Sequence, residues 1–240
     1  MTATPTVLSV NVGLPRTVNF GGTSVTTAIW KEPVGGRIAV RGVNLAGDGQ
    51  ADRSVHGGVD KAVYAYSRED YDWWESELGR ALGPGTLGEN LTVAGFDPSA
   101  ALIGERWKVG SALLEVSEPR FPCFKLGIRM QDSRFLKRFA AARRPGTYLR
   151  IVSDGEVAAG DEIQVVERPR VKVTIGQFAE AYLGDREQLR GLLAADRLSD
   201  RWRSWIVARV RRDGCAPNPG TAAISREQRD AALGQSRRAP

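Results

Sequence analysis

The first residue that could do chemistry is Cys123, in the segment EVSEPRFPCFKLGIRM, which follows a strand-like stretch and is stiffened by proline. Arg120 and Lys125 lie close to it in sequence. Nearby cations favour the thiolate, which is both a nucleophile and a ligand for soft metals. The alternative is a buried, inert cysteine. A position directly after Pro122 in a charged loop argues against burial, so the sequence favours a functional cysteine.

The second candidate is His56, the only histidine among 240 residues, in the loop GDGQADRSVHGG. Gly57 and Gly58 allow a ligand to approach the backbone closely and leave amide N–H groups open to an anion. His56 is then either a general acid/base or ligand-contacting group, or a residue that only fixes the loop by hydrogen bonds.

Two further segments carry candidate polar residues. GTLGENLTVAG places Glu89 and Asn90 directly before a strand, where Glu89 binds substrate, orients a partner or caps a turn. TTAIWKEPV places Lys31 at a strand end, where it either meets a phosphate or is an ordinary surface lysine.

Several common sites are excluded by composition and motif. One histidine with Cys123 and Cys215 does not make the four-ligand set of a zinc site. No phosphate-binding GxxxxGK[ST] loop, dinucleotide-binding GxGxxG fingerprint or GxSxG nucleophile elbow is present.

The elements that must position these residues are mainly strands. Residues 1–168 contain short runs rich in β-branched and aromatic residues, separated by Gly, Pro, Asp and Asn, which predict a small barrel of antiparallel hairpins. The runs are VLSVNVG, RIAVRG, AVYAYS, NLTVAGF, ERWKVG, ALLEVSE, TYLRIVS and DEIQVVER.

Helices interrupt and follow these strands. Ser67 with Asp70 predicts a capped helix over REDYDWWESELGRAL, which places Tyr71, Trp74, Leu78 and Leu82 on one face. The segment DSRFLKRFAAA predicts a second helix, with Phe135, Leu136 and Phe139 facing inward. Residues 169–212 predict a small three-helix domain whose helices begin at Thr174, Asp185 and Ser199. Residues 213–240 are polar and predict a flexible tail.

Composition limits the class of partner. A net charge of +6 and a pI near 9.6 are compatible with nucleic acid, but no nucleic-acid motif accompanies them, so an anionic small ligand is the better interpretation. No apolar run approaches the roughly 20 residues that cross a bilayer. The absence of a secretory signal pattern and of a disulfide framework predicts a cytoplasmic protein.

Taken in order, five blocks resemble the MOSC domain, the C-terminal domain of molybdenum cofactor sulfurase. They are TTAIWKEPV, GDGQADRSVHGGVDKAVYAY, GTLGENLTVAG, IGERWKVGSALLEVSEPRFPCFKL and GTYLRIVSDGEVAAGDEI, within roughly residues 5–168. The order and spacing of DxxxHGG, GEN and PCxKL carry the resemblance. The helical remainder resembles the three-helix appendage of a bacterial branch linked to resistance to 6-hydroxylaminopurine.

The resemblance implies a mainly β fold, a MOSC-type β-barrel whose loops hold a molybdenum cofactor of the molybdopterin type, with Cys123 as the metal ligand. It implies that three further groups line the site: His56, Gly57 and Gly58; Glu89 and Asn90; and Lys31, Arg120 and Lys125 toward phosphate or pterin. The implied reaction is two-electron reduction of an N–OH group to N–H with loss of water, with His56 or Glu89 supplying a proton.

The resemblance also sets expectations for cofactors and partners. We expect no pyridoxal phosphate, because the sulfurases bind it in a separate N-terminal domain. Electrons must come from a partner reductase, and the aromatic helical appendage suggests a homodimer. Two other functions stay open: a sulfur carrier or cofactor-delivery module with a persulfide on Cys123, and a hydrolase or acyltransferase with a Cys123/His56 pair.

Overall fold

The computed structural model describes residues 4–52, 57–184 and 188–211, with the side chain of residue 211 left out. Its strands, in chain order, are β1 (Thr6–Val12), β2 (Arg16–Phe20), β3 (Thr23–Thr27), β4 (Glu32–Val34), β5 (Ile38–Arg41), β6 (Asn44–Leu45), β7 (Val63–Ser67), β8 (Leu91–Ala94), β9 (Arg106–Val109), β10 (Ala112–Pro119), β11 (Thr147–Ser153), β12 (Gly155–Val157) and β13 (Ile163–Glu167). All eight strand runs predicted from the sequence are among them.

Seven of these strands close into a barrel. Neighbours follow the order β13-β9-β10-β11-β7-β8-β1, and β4 also pairs with β1. The ends of this order meet, because Thr6 bridges Glu162 and the amide of Ile163 donates to the carbonyl of Pro5 at 2.8 Å. The predicted barrel is therefore present, within a mixed α/β fold built on one large sheet.

Alternating apolar residues of the barrel strands fill its interior, as the period of two in a strand requires. The interior is aliphatic apart from Trp107, whose indole N–H donates to Glu105 at 2.8 Å. The fully buried side chains here include Val7, Val10, Val63, Val93, Trp107, Val109, Leu114, Val116 and Leu149.

The described α-helices are α1 (Arg68–Leu78), α2 (Phe124–Met130), α3 (Phe135–Ala142), α4 (Ile175–Leu183), α5 (Leu189–Leu192) and α6 (Asp200–Arg211). Helix α1 makes the crossover between β7 and β8, which is the parallel pair of the barrel. Ser67 caps it as predicted by accepting from the Asp70 amide, but Gly79 in the left-handed conformation ends it before Leu82.

Helix α2 is absent from the sequence prediction. Its seven residues, FKLGIRM, contain a glycine and have no cap signal, so the segment looks like a loop. The glycine is required by packing, because a Cβ at Gly127 would lie 2.8 Å from Cδ1 of Leu136. Helices α1, α2 and α3 share a second, aromatic core with β7; Phe135 and Phe139 are buried in it and Leu136 is half-buried.

The C-terminal helices begin largely as predicted. Thr174 and Gln177 form the reciprocal capping box of α4, and Gly184 ends that helix. Ser199 immediately precedes α6, whereas Asp185 lies outside the described residues. Trp202 and Ile206 of α6 belong to the same apolar cluster as the barrel interior. The domain boundary at residue 168 stays a prediction, and the tail from 213 lies outside the described residues.

Candidate active site

A cleft that is open to solvent gathers most of the candidate residues. Its lining includes five residues singled out from the sequence: Lys31, Asn90, Arg120, Cys123 and Lys125. These come from three separate segments of the chain. The tertiary fold therefore brings the predicted lysine, asparagine, arginine and cysteine into one site.

The register of neighbouring strands explains this convergence. Glu118 of β10 pairs with Tyr148 of β11, which pairs with Tyr64 of β7. The amide of Asn90, just before β8, donates to the carbonyl of Tyr64 at 2.8 Å. One row across four strands thus connects the end of β10, from which the chain continues to Cys123, with the beginning of β8.

Cys123 occupies the position immediately before α2 and is half-buried on the cleft wall. This agrees with the argument from Pro122 that the cysteine is not fully buried. Burial lowers the pKa of the neighbouring Lys61, and electrostatic interaction with Cys123 is among the smaller effects that oppose this.

Arg120 is the strongest anion-binding candidate of the cleft. The residue is 6% exposed, and its guanidinium carbon lies 5.4 Å from the ring centre of Tyr64 and 5.2 Å from that of Phe139. Its Nη1 atom is buried and has no hydrogen-bond partner among the described residues. Leaving a buried charged donor unsatisfied is costly, so this atom suits an anionic ligand in the cleft.

Lys31 lines the cleft with its charge already paired. Its Nζ lies 2.5 Å from Oδ1 of Asp48, and both side chains are buried. Burial lowers the pKa of Lys31, and the Asp48 carboxylate opposes that effect. Asp48 also accepts from the amide of Gly13 at 2.8 Å and from Nδ2 of Asn90 at 2.9 Å. Lys31 is therefore part of a rigid wall more than an isolated positive charge.

Asn90 links three segments around the cleft. Its Oδ1 accepts from the amide of Tyr64 at 3.1 Å, and its Nδ2 donates to the carbonyl of Asn11 at 3.2 Å as well as to Asp48. These bonds join β7, β1 and the loop that carries Asp48. Asn90 therefore lies at the cleft as predicted, with its amide committed to holding the wall together.

Glu89 does not line the cleft. It is fully buried, and its carboxylate accepts from the hydroxyl of Tyr71 at 2.8 and 2.9 Å, from the amide of Gly85 at 2.6 Å and from the hydroxyl of Thr92 at 2.8 Å. Burial raises the pKa of Glu89. Of the two interpretations from sequence, this geometry favours the turn-capping acid over the group that contacts substrate.

The two glycines of the HGG motif contact a protein side chain. The amide of Gly58 donates to Oε1 of Gln50 at 3.0 Å, so this N–H is not open to an anion as the sequence suggested. A Cβ at Gly57 would lie 2.4 Å from the same oxygen. Gln50 itself lines the cleft, so the glycines shape it indirectly. His56 lies outside the described residues, and its role stays a prediction.

Sequence reasoning missed two cleft residues of importance. Lys61 follows the HGG motif and forms a buried ion pair with Glu118 at 3.3 Å; its Nζ is 5.7 Å from the ring centre of Tyr148. Burial lowers the pKa of Lys61 and raises that of Glu118. Phe121 lines the cleft two residues before Cys123. Its position in the segment PRFPC, close to the candidate cysteine, is the feature of the sequence that could have identified it.

The lining is positively charged. Among the described residues it contains Lys31, Lys61, Arg120 and Lys125 against one carboxylate, that of Asp48, and it also contains the thiol of Cys123. Across the described ranges, no three His, Cys, Asp or Glu side chains gather into a group that could hold a metal ion.

Comparison with known proteins identifies the family. A family model of the MOSC domain matches residues 52–164. The chain is 34% identical over 204 residues to the uncharacterized protein YflK of Bacillus subtilis, and the match covers 82% of this chain and 91% of that protein. The chain therefore belongs to the MOSC domain family.

Two further relatives are informative. The crystal structure of YiiM from Geobacillus stearothermophilus superimposes with a TM-score of 0.72 at 30% identity, covering 86% of this chain and 99% of that one. A protein of Gibberella moniliformis named "Reductase" is 35% identical over 173 residues, which is 70% of this chain but 30% of that protein.

No helix in the described part of the chain is long and apolar enough to span a membrane.

Proposed function

We propose that this protein is a molybdenum-cofactor-dependent reductase that converts N-hydroxylated bases of the 6-hydroxylaminopurine type into the corresponding amines. One observation carries the proposal. Cys123, a soft donor, shares a cationic cleft with Arg120, whose Nη1 is buried without a partner. MOSC domains are associated with binding of the molybdenum cofactor, and the fungal relative named reductase is in keeping with the reaction class.

The donors of the cleft fit such a cofactor. A thiolate is the ligand that a soft metal centre prefers, and Cys123 would hold the metal. An anionic phosphate prefers a guanidinium and an ammonium, and Arg120 and Lys125 would hold it. Lys31 would contribute less to phosphate binding because Asp48 pairs with it at 2.5 Å.

The reaction balances with an external electron donor. A base R–NH–OH takes up two electrons and two protons and gives R–NH2 and water, so the N–O bond breaks and the nitrogen is reduced. When bound, the cofactor supplies this two-electron reduction at its metal. The electrons come from a separate reductase, which we propose as the partner protein.

In this scheme the residues of the protein bind and orient the cofactor and the substrate. The buried Lys31–Asp48–Asn90 network keeps one wall of the cleft fixed, and the Lys61–Glu118 ion pair keeps a charged group on another. Preorganised polar groups of this kind need no rearrangement when charge develops in the cleft. His56 stays the proposed proton donor.

The first experiment measures molybdenum and pterin in protein purified from cells that make the cofactor, for the wild type, Cys123→Ala and Cys215→Ala. We expect stoichiometric molybdenum in the wild type and in the Cys215→Ala control, and loss of molybdenum in Cys123→Ala. Molybdenum in none of the three would refute the proposal. A persulfide on Cys123, found by mass spectrometry in that case, would support the sulfur-carrier alternative.

A further inference from the structure

Phe121 lines the cleft, and its aromatic ring packs against the C-terminal helices. Its ring centre lies 3.9 Å from that of Tyr182 at an interplanar angle of 35°. The rings of Phe178 and Trp202 meet it at 6.0 and 5.5 Å with angles of 71° and 62°. Three side chains from α4 and α6 thus fix the orientation of one cleft residue.

Phe121 differs from the tyrosines of the cleft in what covers its face. Arg120 lies 5.4 Å from the ring centre of Tyr64, and Lys61 lies 5.7 Å from that of Tyr148. Among the described residues no cation lies over the ring of Phe121, which is half-buried. Its ring is therefore the aromatic surface of the cleft best suited to stack on a planar, uncharged ligand.

Trp202 of α6, whose ring meets that of Phe121, is itself 1% exposed and belongs to the apolar cluster of the barrel interior. One buried tryptophan of the helical unit therefore supports Phe121.

From this arrangement we infer that Phe121 is the surface on which the planar heteroaromatic ring of the substrate stacks, and that Tyr182 and Trp202 are positioning residues for it. The C-terminal helices are then part of the substrate site. The inference rests on the proposed function for the identity of the substrate. It adds the residue that determines preference for planar bases.

The experiment compares Phe121→Leu with the matched control Phe96→Leu. Phe96 is also a half-buried phenylalanine in contact with a tryptophan, Trp107 at 5.2 Å, but it does not line the cleft. Binding of 6-hydroxylaminopurine to the purified protein is measured by isothermal titration calorimetry. Because stacking of a base on an aromatic side chain is lost while apolar bulk is kept, we expect the Kd to rise about 5- to 20-fold in Phe121→Leu. In Phe96→Leu we expect a change of less than about 2-fold.

A specificity ratio tests the same point during turnover. The ratio of kcat/KM for 6-hydroxylaminopurine to that for N-methylhydroxylamine, which has no ring, falls by a similar factor in Phe121→Leu. Tyr182→Leu lowers the ratio in the same direction, and Tyr182→Phe, which keeps the ring, restores it. A residue that only stabilised the fold would change both substrates together and leave the ratio unchanged.

Three outcomes would overturn the inference: an unchanged Kd and ratio in Phe121→Leu, loss of bound pterin in that variant, or equal effects in Phe96→Leu. Loss of pterin would mean that Phe121 contacts the cofactor. Circular dichroism confirms that each variant is folded. If the loaded wild type reduces neither substrate, the proposed function fails, and the binding constants alone then decide whether Phe121 stacks on the base.

Discussion

Replacing Glu89 with alanine separates its two interpretations. The carboxylate is the acceptor for three buried donors: the hydroxyls of Tyr71 and Thr92 and the amide of Gly85. Removing it leaves all three without a partner, at about 1–3 kcal/mol each. With some relief from an entering water, we expect the free energy of unfolding to fall by about 3–6 kcal/mol. For a chain of this size that lowers the Tm by on the order of 10 °C.

The conservative variant Glu89→Gln should be nearly neutral. Its Oε1 still accepts from the three donors, and its amide donates to the Tyr71 hydroxyl, which also accepts from the amide of Leu87 at 3.0 Å. We expect a loss below about 1.5 kcal/mol by denaturant unfolding. Glu180→Ala, which removes an exposed carboxylate on α4, is the control and should change stability by less than about 0.5 kcal/mol.

The pH dependence of the same variant has a definite sign. Burial raises the pKa of Glu89 above its usual 4.5, so the folded protein keeps this proton to a higher pH than the unfolded chain does. Its contribution to stability is therefore present below about pH 4.5 and is lost as pH rises through the raised pKa. Glu89→Gln lacks this loss, so its free energy of unfolding should rise relative to that of the wild type as the pH increases above about 4.5.

Two results would refute this reasoning. Stability of Glu89→Ala within 1 kcal/mol of the wild type would mean that the three donors do not depend on the carboxylate. Normal stability of Glu89→Gln together with abolished reduction of N-hydroxylated bases would return Glu89 to the role of a catalytic acid.

Two further predictions concern the charged groups of the cleft. Arg120→Met should weaken retention of pterin by about 10- to 100-fold, since charge-assisted hydrogen bonds are lost. The apo-protein should be at least as stable as the wild type, because an apolar side chain replaces a buried unsatisfied donor. Lower stability of the apo-protein would contradict this. Lys61→Met should cost about 3 kcal/mol at pH 8 by leaving the buried Glu118 carboxylate without its cation. Urea unfolding should show a cost that shrinks as the pH falls and Glu118, whose pKa burial already raises, takes up a proton; a cost that does not depend on pH would show that its charge is not the cause.

Local patterns in the sequence determine much of this protein. The strand runs follow from alternation of β-branched residues, and the helix caps at Ser67 and Thr174 follow from side chains that accept from an amide three residues on. The segment PRFPCFKL places Arg120, Cys123 and Lys125 within six residues, so their proximity needs no tertiary information. These features depend on neighbours along the chain, and the sequence shows those neighbours directly.

The directions of side chains and the contacts between distant segments were decided only by the tertiary structure. Successive side chains near a strand point to opposite sides, so Glu89 and Asn90 could not both face the cleft, and the sequence does not say which one does. Closure of the barrel joins Thr6 to Glu162, and the cleft wall joins Phe121 to Tyr182. Such pairings depend on the register and packing of elements far apart in the chain, which no local pattern encodes.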